Sequence, residues 1–160
     1  MKIKLILSLC AAVLIAQPLS AAAPQRNELT QAARDNNLAE VQRLLAAGAN
    51  PDIPGDTPLY QAILNHNIKI VQALIQVGAD LDIVNSNGYT PLHIAALLGN
   101  DQIVQALIQA GANPTIIDYE EQTPAQVATA KRYHWIAKLL EQAEKAYQQK
   151  NPMIKSAHKT

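Results

Sequence analysis

The chain has 160 residues, room for one domain or one short array of repeats. Its 13 Lys and Arg balance 13 Asp and Glu, so the whole lacks the basic surplus that nucleic-acid binding asks for. Ala, Leu and Ile carry the apolar content and Phe is absent, which suits small helices packed closely.

Residues 1–22 read as a secretory signal. Lys2 and Lys4 precede an apolar run from Leu5 to Ala16, Pro18 breaks it, and Ser20, Ala21, Ala22 and Ala23 follow. The run is short for a membrane span, and Ser20 and Ala22 suit the two small pockets of a signal peptidase, so cleavage is expected after Ala22. An uncleaved anchor is the alternative. Cys10 would leave with this segment, and Leu9 before it is not the small residue a lipoprotein site needs. The processed chain would then contain no cysteine, which suits an oxidising compartment. The expected location is the bacterial periplasm, with no membrane contact after cleavage.

Residues 23–27 form a linker. From Glu28 the spacing is helical, with Leu29, Ala32 and Ala33 on one face. Asn36-Asn37 turns the chain into a second helix carrying Val41, Leu44 and Leu45, which Gly48 ends. The second unit opens at Thr57-Pro58, a cap followed by a proline where no N–H is needed. Leu59, Ala62 and Ile63 make its first stripe, His66-Asn67 its turn, and Ile70, Val71, Leu74 and Ile75 its second stripe, up to Gly78. Leu81 to Val84 reads as extended. The third unit has Thr90-Pro91, the turn Gly99-Asn100, then Ile103, Val104, Leu107 and Ile108 before Gly111. The fourth has Thr123-Pro124, Val127 and Ala128, then a helix with Trp135, Ile136, Leu139 and Leu140 on its apolar stripe. That helix reaches about Tyr147, and Glu141, Glu144 and Lys145 give it the polar outer face of a capping unit. Residues 149–160 read as a disordered basic tail.

Thr57-Pro58, Thr90-Pro91 and Thr123-Pro124 recur at a fixed interval, the mark of a stacked repeat array. Thr90-Pro91-Leu92-His93, Ala95-Ala96, Gly99, Ile103-Val104, Leu107 and Gly111-Ala112-Asn113 resemble the ankyrin repeat nearly throughout. The second unit keeps Thr57-Pro58-Leu59 and Gly78-Ala79-Asp80 but has Tyr60 for the motif His and His66 for the turn Gly. The first keeps Ala32-Ala33 and Gly48-Ala49-Asn50, and the fourth keeps Thr123-Pro124. The resemblance implies an all-α solenoid of about four helix-turn-helix units with short β-hairpin fingers, over about 28–54, 55–85, 86–118 and 119–148. The stretch from Gly48 to Thr57 is three residues shorter than its two counterparts, so the finger between the first and second units should be reduced.

The histidines are His66, His93, His134 and His158, and no two have the spacing of a metal-binding helix. In the family His93 would be a structural hydrogen-bonding group. No phosphate loop, serine elbow or calcium loop is present, so no catalytic residues, metal ligands or cofactors are expected. A small enzyme using His93 or His134 with Glu120 and Glu121 is the alternative from another class. The resemblance implies a protein-protein interaction module acting through fingers and inner helices. The contact positions it implies are Ser86, Asn87, Tyr89, Leu97 and Leu98 in the third unit, and Tyr119, Glu120, Gln122, Ala130 and Lys131 in the fourth. Leu64, Asn65 and Asp56 are those of the second, and Arg34 and Asp35 those of the first. Tyr89 and Tyr119 stand out, since a finger tyrosine offers an apolar face and a hydroxyl. The partner is a protein, bound by a monomer, with no nucleic acid. Neutralising a toxin or hydrolase and supporting envelope oxidative-stress defence are the two roles weighed. Charge divides along the chain: 23–130 holds four Lys and Arg against eleven acids, and 131–160 seven against two.

Overall fold

Eight helices follow one another in a computed structural model that describes residues 28–52 and 57–152. They are α1 (Glu28–Arg34), α2 (Leu38–Ala46), α3 (Pro58–Leu64), α4 (Ile68–Gln76), α5 (Pro91–Leu98), α6 (Asp101–Gln109), α7 (Pro124–Ala130) and α8 (His134–Lys150). Each odd helix pairs with the even helix after it. The odd helices stack in one row and the even helices in another, giving an all-α solenoid of four units. The leader, the linker, most of the shortened first finger including Asp56, and residues 153–160 lie outside the described residues.

Local chemistry sets each helix start. The hydroxyls of Thr57, Thr90 and Thr123 accept the third backbone N–H of α3, α5 and α7, and a proline follows each. The even helices use asparagine: Asn37, Asn67 and Asn100 accept from the first turns of α2, α4 and α6. Tyr133 occupies the matching place before α8 and offers no side-chain cap. Capping of this kind contributes about 1 kcal/mol per helix end, which matters for helices of two turns that would not form alone.

Small residues let the odd helices approach closely. Ala33, Ala62, Ala95, Ala96 and Ala128 are fully buried between them. The even helices bury the larger pairs Val41 with Leu44, Ile70 with Leu74, and Ile103 with Leu107. Each of these aliphatic side chains contributes about 1.5–3 kcal/mol by leaving water. The stripes expected from spacing face the core, with Leu45, Ile75, Ile108 and Leu139 partly buried against it, and one residue departs from the pattern. Trp135 is 63% exposed, because the buried face of α8 runs through Ile136, Ala137 and Leu140 and leaves its predecessor facing out.

Hydrogen bonds stitch unit to unit along two edges. On one, Asn50, Asp80 and Asn113 each accept the N–H two residues on, at Asp52, Asp82 and Thr115. The Asp52 and Asp82 carboxylates in turn accept the N–H of Asp80 and Asn113, both at 2.8 Å. This zigzag continues across the junction where the finger is short. On the other edge the side chains of Asn67 and Asn36 bond each other, and Asn100 lies 3.1 Å from the His66 ring.

The last helix differs from expectation at its end. It runs to Lys150, so Gln149 and Lys150 belong to the helix and not to a tail. Glu144, expected on a solvated face, is half-buried. Burial raises its pKa despite hydrogen bonding from Thr123, and its Oε1 has no partner.

Candidate protein-binding surface

The fingers are tight turns, with no strand among the described residues. Asn85 N–H donates to the Tyr89 carbonyl at 3.1 Å and the Asn85 carbonyl accepts from Gly88 N–H at 3.0 Å. Asp118 does the same with Gln122 and Glu121 at 3.0 and 3.1 Å, so each turn has two such bonds, too few for a ladder. Asn85 Oδ1 accepts the N–H groups of Asn87 and Tyr89, and Asp118 Oδ1 those of Glu120 and Gln122. The turns are therefore fixed by one side chain apiece. They touch each other through Tyr119 N–H and the Asn87 carbonyl, at 3.4 Å.

Buried side chains anchor these turns to the helices. His93 is 0% exposed. Its Nδ1 accepts the Thr90 N–H at 3.1 Å, so Nε2 carries the proton and donates to the Gln122 carbonyl at 2.9 Å. Burial lowers the His93 pKa, with the Gln122 carbonyl and Asp118 pulling it back up. Tyr60 does the same work one unit earlier. Its hydroxyl lies 2.6 Å from both the Ile83 and the Tyr89 carbonyls. One proton serves one carbonyl at a time, so the two contacts share a single bond. Burial raises the Tyr60 pKa well above the usual phenol value.

The residues expected to face a partner divide into two sets. Tyr119 is 73% exposed, and its ring lies over Gly88, where an added Cβ would come within 2.7 Å of it. Ser86, Asn87, Glu120 and Lys131 are exposed, Leu64 is 49% exposed and Leu97 is half-buried. Together they offer a finger edge and the far ends of α3, α5 and α7. Tyr89 is not the exposed tyrosine expected. It is half-buried because its ring stacks on His93, with centroids 5.7 Å apart and planes 17° from parallel. Leu98 is half-buried against the core. Gln122 is half-buried and gives its backbone to His93 and Asp118. The Asn65 amide donates to the carbonyls of Ala33 and Arg34 at 3.1 and 2.9 Å, closing the end of α1. Its exposure hides a structural task.

The arrangement assumed for catalysis is not assembled. His93 is enclosed with both ring nitrogens occupied, while His134 lies beyond the opposite end of α7 from Glu120 and Glu121. No group of three or more His, Cys, Asp or Glu suited to a metal occurs among the described residues. A shallow cleft of about 260 Å³, lined by Ile108, Ala112, Pro114, Ala143 and Tyr147 among others, lies between α6 and α8, away from the fingers.

Spacing alone missed the exposed Tyr133, Trp135 and Arg132. The signal was there in the missing asparagine before α8. A family model described as ankyrin repeats (3 copies) matches residues 29–118 and again 78–152. No curated protein matches the chain.

Proposed function

Since the chain belongs to the ankyrin repeat family, whose domains are generally protein-binding modules, we propose that it binds a protein partner through the finger edge at Tyr119 and the free ends of the odd helices. The observation that carries this is Tyr119 itself. A large aromatic side chain stands 73% exposed on a turn held by Asp118 and by Gly88 beneath it. A rigid, exposed tyrosine loses little freedom on binding and buries much area, which is the profile of an interface anchor. Leu97, Leu64, Ser86, Asn87, Glu120 and Lys131 complete the surface, and Tyr89 acts by holding the finger.

The setting we infer is the bacterial periplasm. Residues 1–22 have the sequence of a cleavable signal, and the processed chain needs no thiol. There the protein acts as a non-catalytic monomer. Neutralising a hydrolase or toxin and supporting an envelope enzyme are the roles this surface suits.

The test is capture of partners from an envelope extract by the parent protein, by Tyr119→Ala with Leu97→Ser, and by Asn65→Ala. The double variant should lose the partner and Asn65→Ala should keep it. Equal capture by the double variant would remove the finger edge from the proposal. Retention of residues 1–22 on protein recovered from cells would overturn the location.

A further inference from the structure

We propose that the turn between α7 and α8, residues 131–138, is a contact site for an anionic phospholipid surface. Trp135 is the only tryptophan in the chain and is 63% exposed. Tyr133, two residues before it, is 40% exposed. Lys131, Arg132, His134 and Lys138 surround them, all exposed, and Lys131, Arg132 and Lys138 form no ion pair among the described residues. The nearest acid along the chain is Glu141 on α8. Indole and phenol rings beside unpaired cations match the boundary between lipid tails and anionic headgroups, where one end of the ring is dry and the other wet.

The patch is preformed. The Tyr133 ring rests on Gly99, where an added Cβ would come within 2.7 Å of it, and Arg132 is held in the left-handed conformation at φ 63. The turn is thus pinned to the third unit while its polar tips project. It is a corner between two helices, and the cleft between α6 and α8 is lined by other residues. A corner suits a broad surface better than a peptide that must be enclosed.

Charge gives the molecule a direction. Residues 131–160 hold seven Lys and Arg against two acids, and 23–130 hold four against eleven. Of those seven, Lys131, Arg132 and Lys138 belong to the α7–α8 corner, and their attraction to an anionic bilayer turns that corner toward it. No described helix is long and apolar enough to cross a membrane, so the contact is peripheral. The processed chain therefore does not simply leave the membrane behind. Tyr119 lies at the opposite end of α7 from this site, while Lys131 belongs both to the corner and to the surface proposed for a protein partner, so the two contacts meet at the end of α7.

Trp135 reports on the contact directly. The processed chain, residues 23–160, which includes every described residue, is titrated with vesicles of phosphatidylglycerol and phosphatidylcholine, with phosphatidylcholine alone, and with polyglutamate. The expected result is a blue-shifted emission with the anionic vesicles, reversed by 0.5 M salt, and none with phosphatidylcholine. Removing one cation should weaken partitioning about fivefold, so Lys131→Gln, Arg132→Gln and Lys138→Gln together should weaken it roughly a hundredfold while the circular dichroism is unchanged. Trp135→Ala, followed by sedimentation with vesicles, should also weaken binding. No shift with anionic vesicles, or undiminished binding by the triple variant, would overturn the proposal. A shift with polyglutamate and none with vesicles would assign the corner to an acidic protein segment.

Discussion

Replacing Tyr60 by Phe removes a single oxygen and tests how the second unit holds the third. The hydroxyl donates to the Ile83 or the Tyr89 carbonyl, each 2.6 Å away. The Tyr89 carbonyl keeps its bond from Asn85 N–H, whereas no other bond is seen to the Ile83 carbonyl among the described residues. The loss is one shared hydrogen bond, about 1 kcal/mol net, plus part of the penalty for a half-buried carbonyl that water reaches only in part. About 1–2 kcal/mol results. For an array of this size that lowers Tm by roughly 4–8 °C. Tyr60→His should recover most of it, since His93 makes the corresponding bond to Gln122. Urea and thermal melts of the three proteins measure this. The sign with pH is fixed by the raised Tyr60 pKa: the contribution is complete below pH 10, the usual value, and is lost as pH rises above it. The stability advantage of the parent over the Phe variant should therefore shrink as pH rises above 10. A Tyr60→Phe Tm within 1 °C of the parent would show that the hydroxyl does not join the units, and the account of finger anchoring would fail with it.

Other outcomes follow from the same geometry. Glu121 is held at φ 60 where the third unit has Gly88, so Glu121→Gly should stabilise by about 0.5–1 kcal/mol, read as a higher urea midpoint. Asn65→Ala should cost about 1 kcal/mol by freeing the end of α1, with hydrogen exchange rising in the first unit before the others. His93 is buried and its pKa lies below the usual 6.5, so its contribution is complete above pH 6.5 and is lost as pH falls. The urea midpoint should drop between pH 7.5 and 5.5. Asp82 and Glu144, whose pKa values burial raises, act with the opposite sign. A midpoint that is flat or rises down to pH 5.5 would contradict a neutral, buried His93.

The helices were legible because each start has its own cap and each stripe its own spacing. Thr90-Pro91 and Asn100 are local signals, and the structure uses them locally. The site was less legible, because exposure depends on what lies across the stack. Tyr89 stands where the next finger has Gln122, and Tyr119 where the earlier finger has Ser86, so the two tyrosines hold different places. Only Tyr89 has a histidine behind it to stack on, and only Tyr119 projects from the last finger described. Asn65 looked like a contact residue because its amide partners, Ala33 and Arg34, lie about one repeat away. Trp135 looked like core because Ile136 beside it is core, and one step along a helix turns a side chain through about 100°. The polar end of α8 suggested a solvated cap, yet Glu144 is half-buried beside Thr123.

The non-glycine residues in left-handed backbone are Asn36, His66, Glu121 and Arg132 among the described residues, and none of them is in the third unit. The third unit meets the same turns with Gly88 and Gly99. Its turns are accordingly the least strained, and the expectation is that folding begins there and spreads in both directions, which would show as the earliest hydrogen-exchange protection in a refolding experiment. A substitution there, such as Gly99→Ala, would retard folding. Changes in the first unit would chiefly hasten its loss. The order of assembly would then begin in the middle of the chain, whichever end is made or exported first.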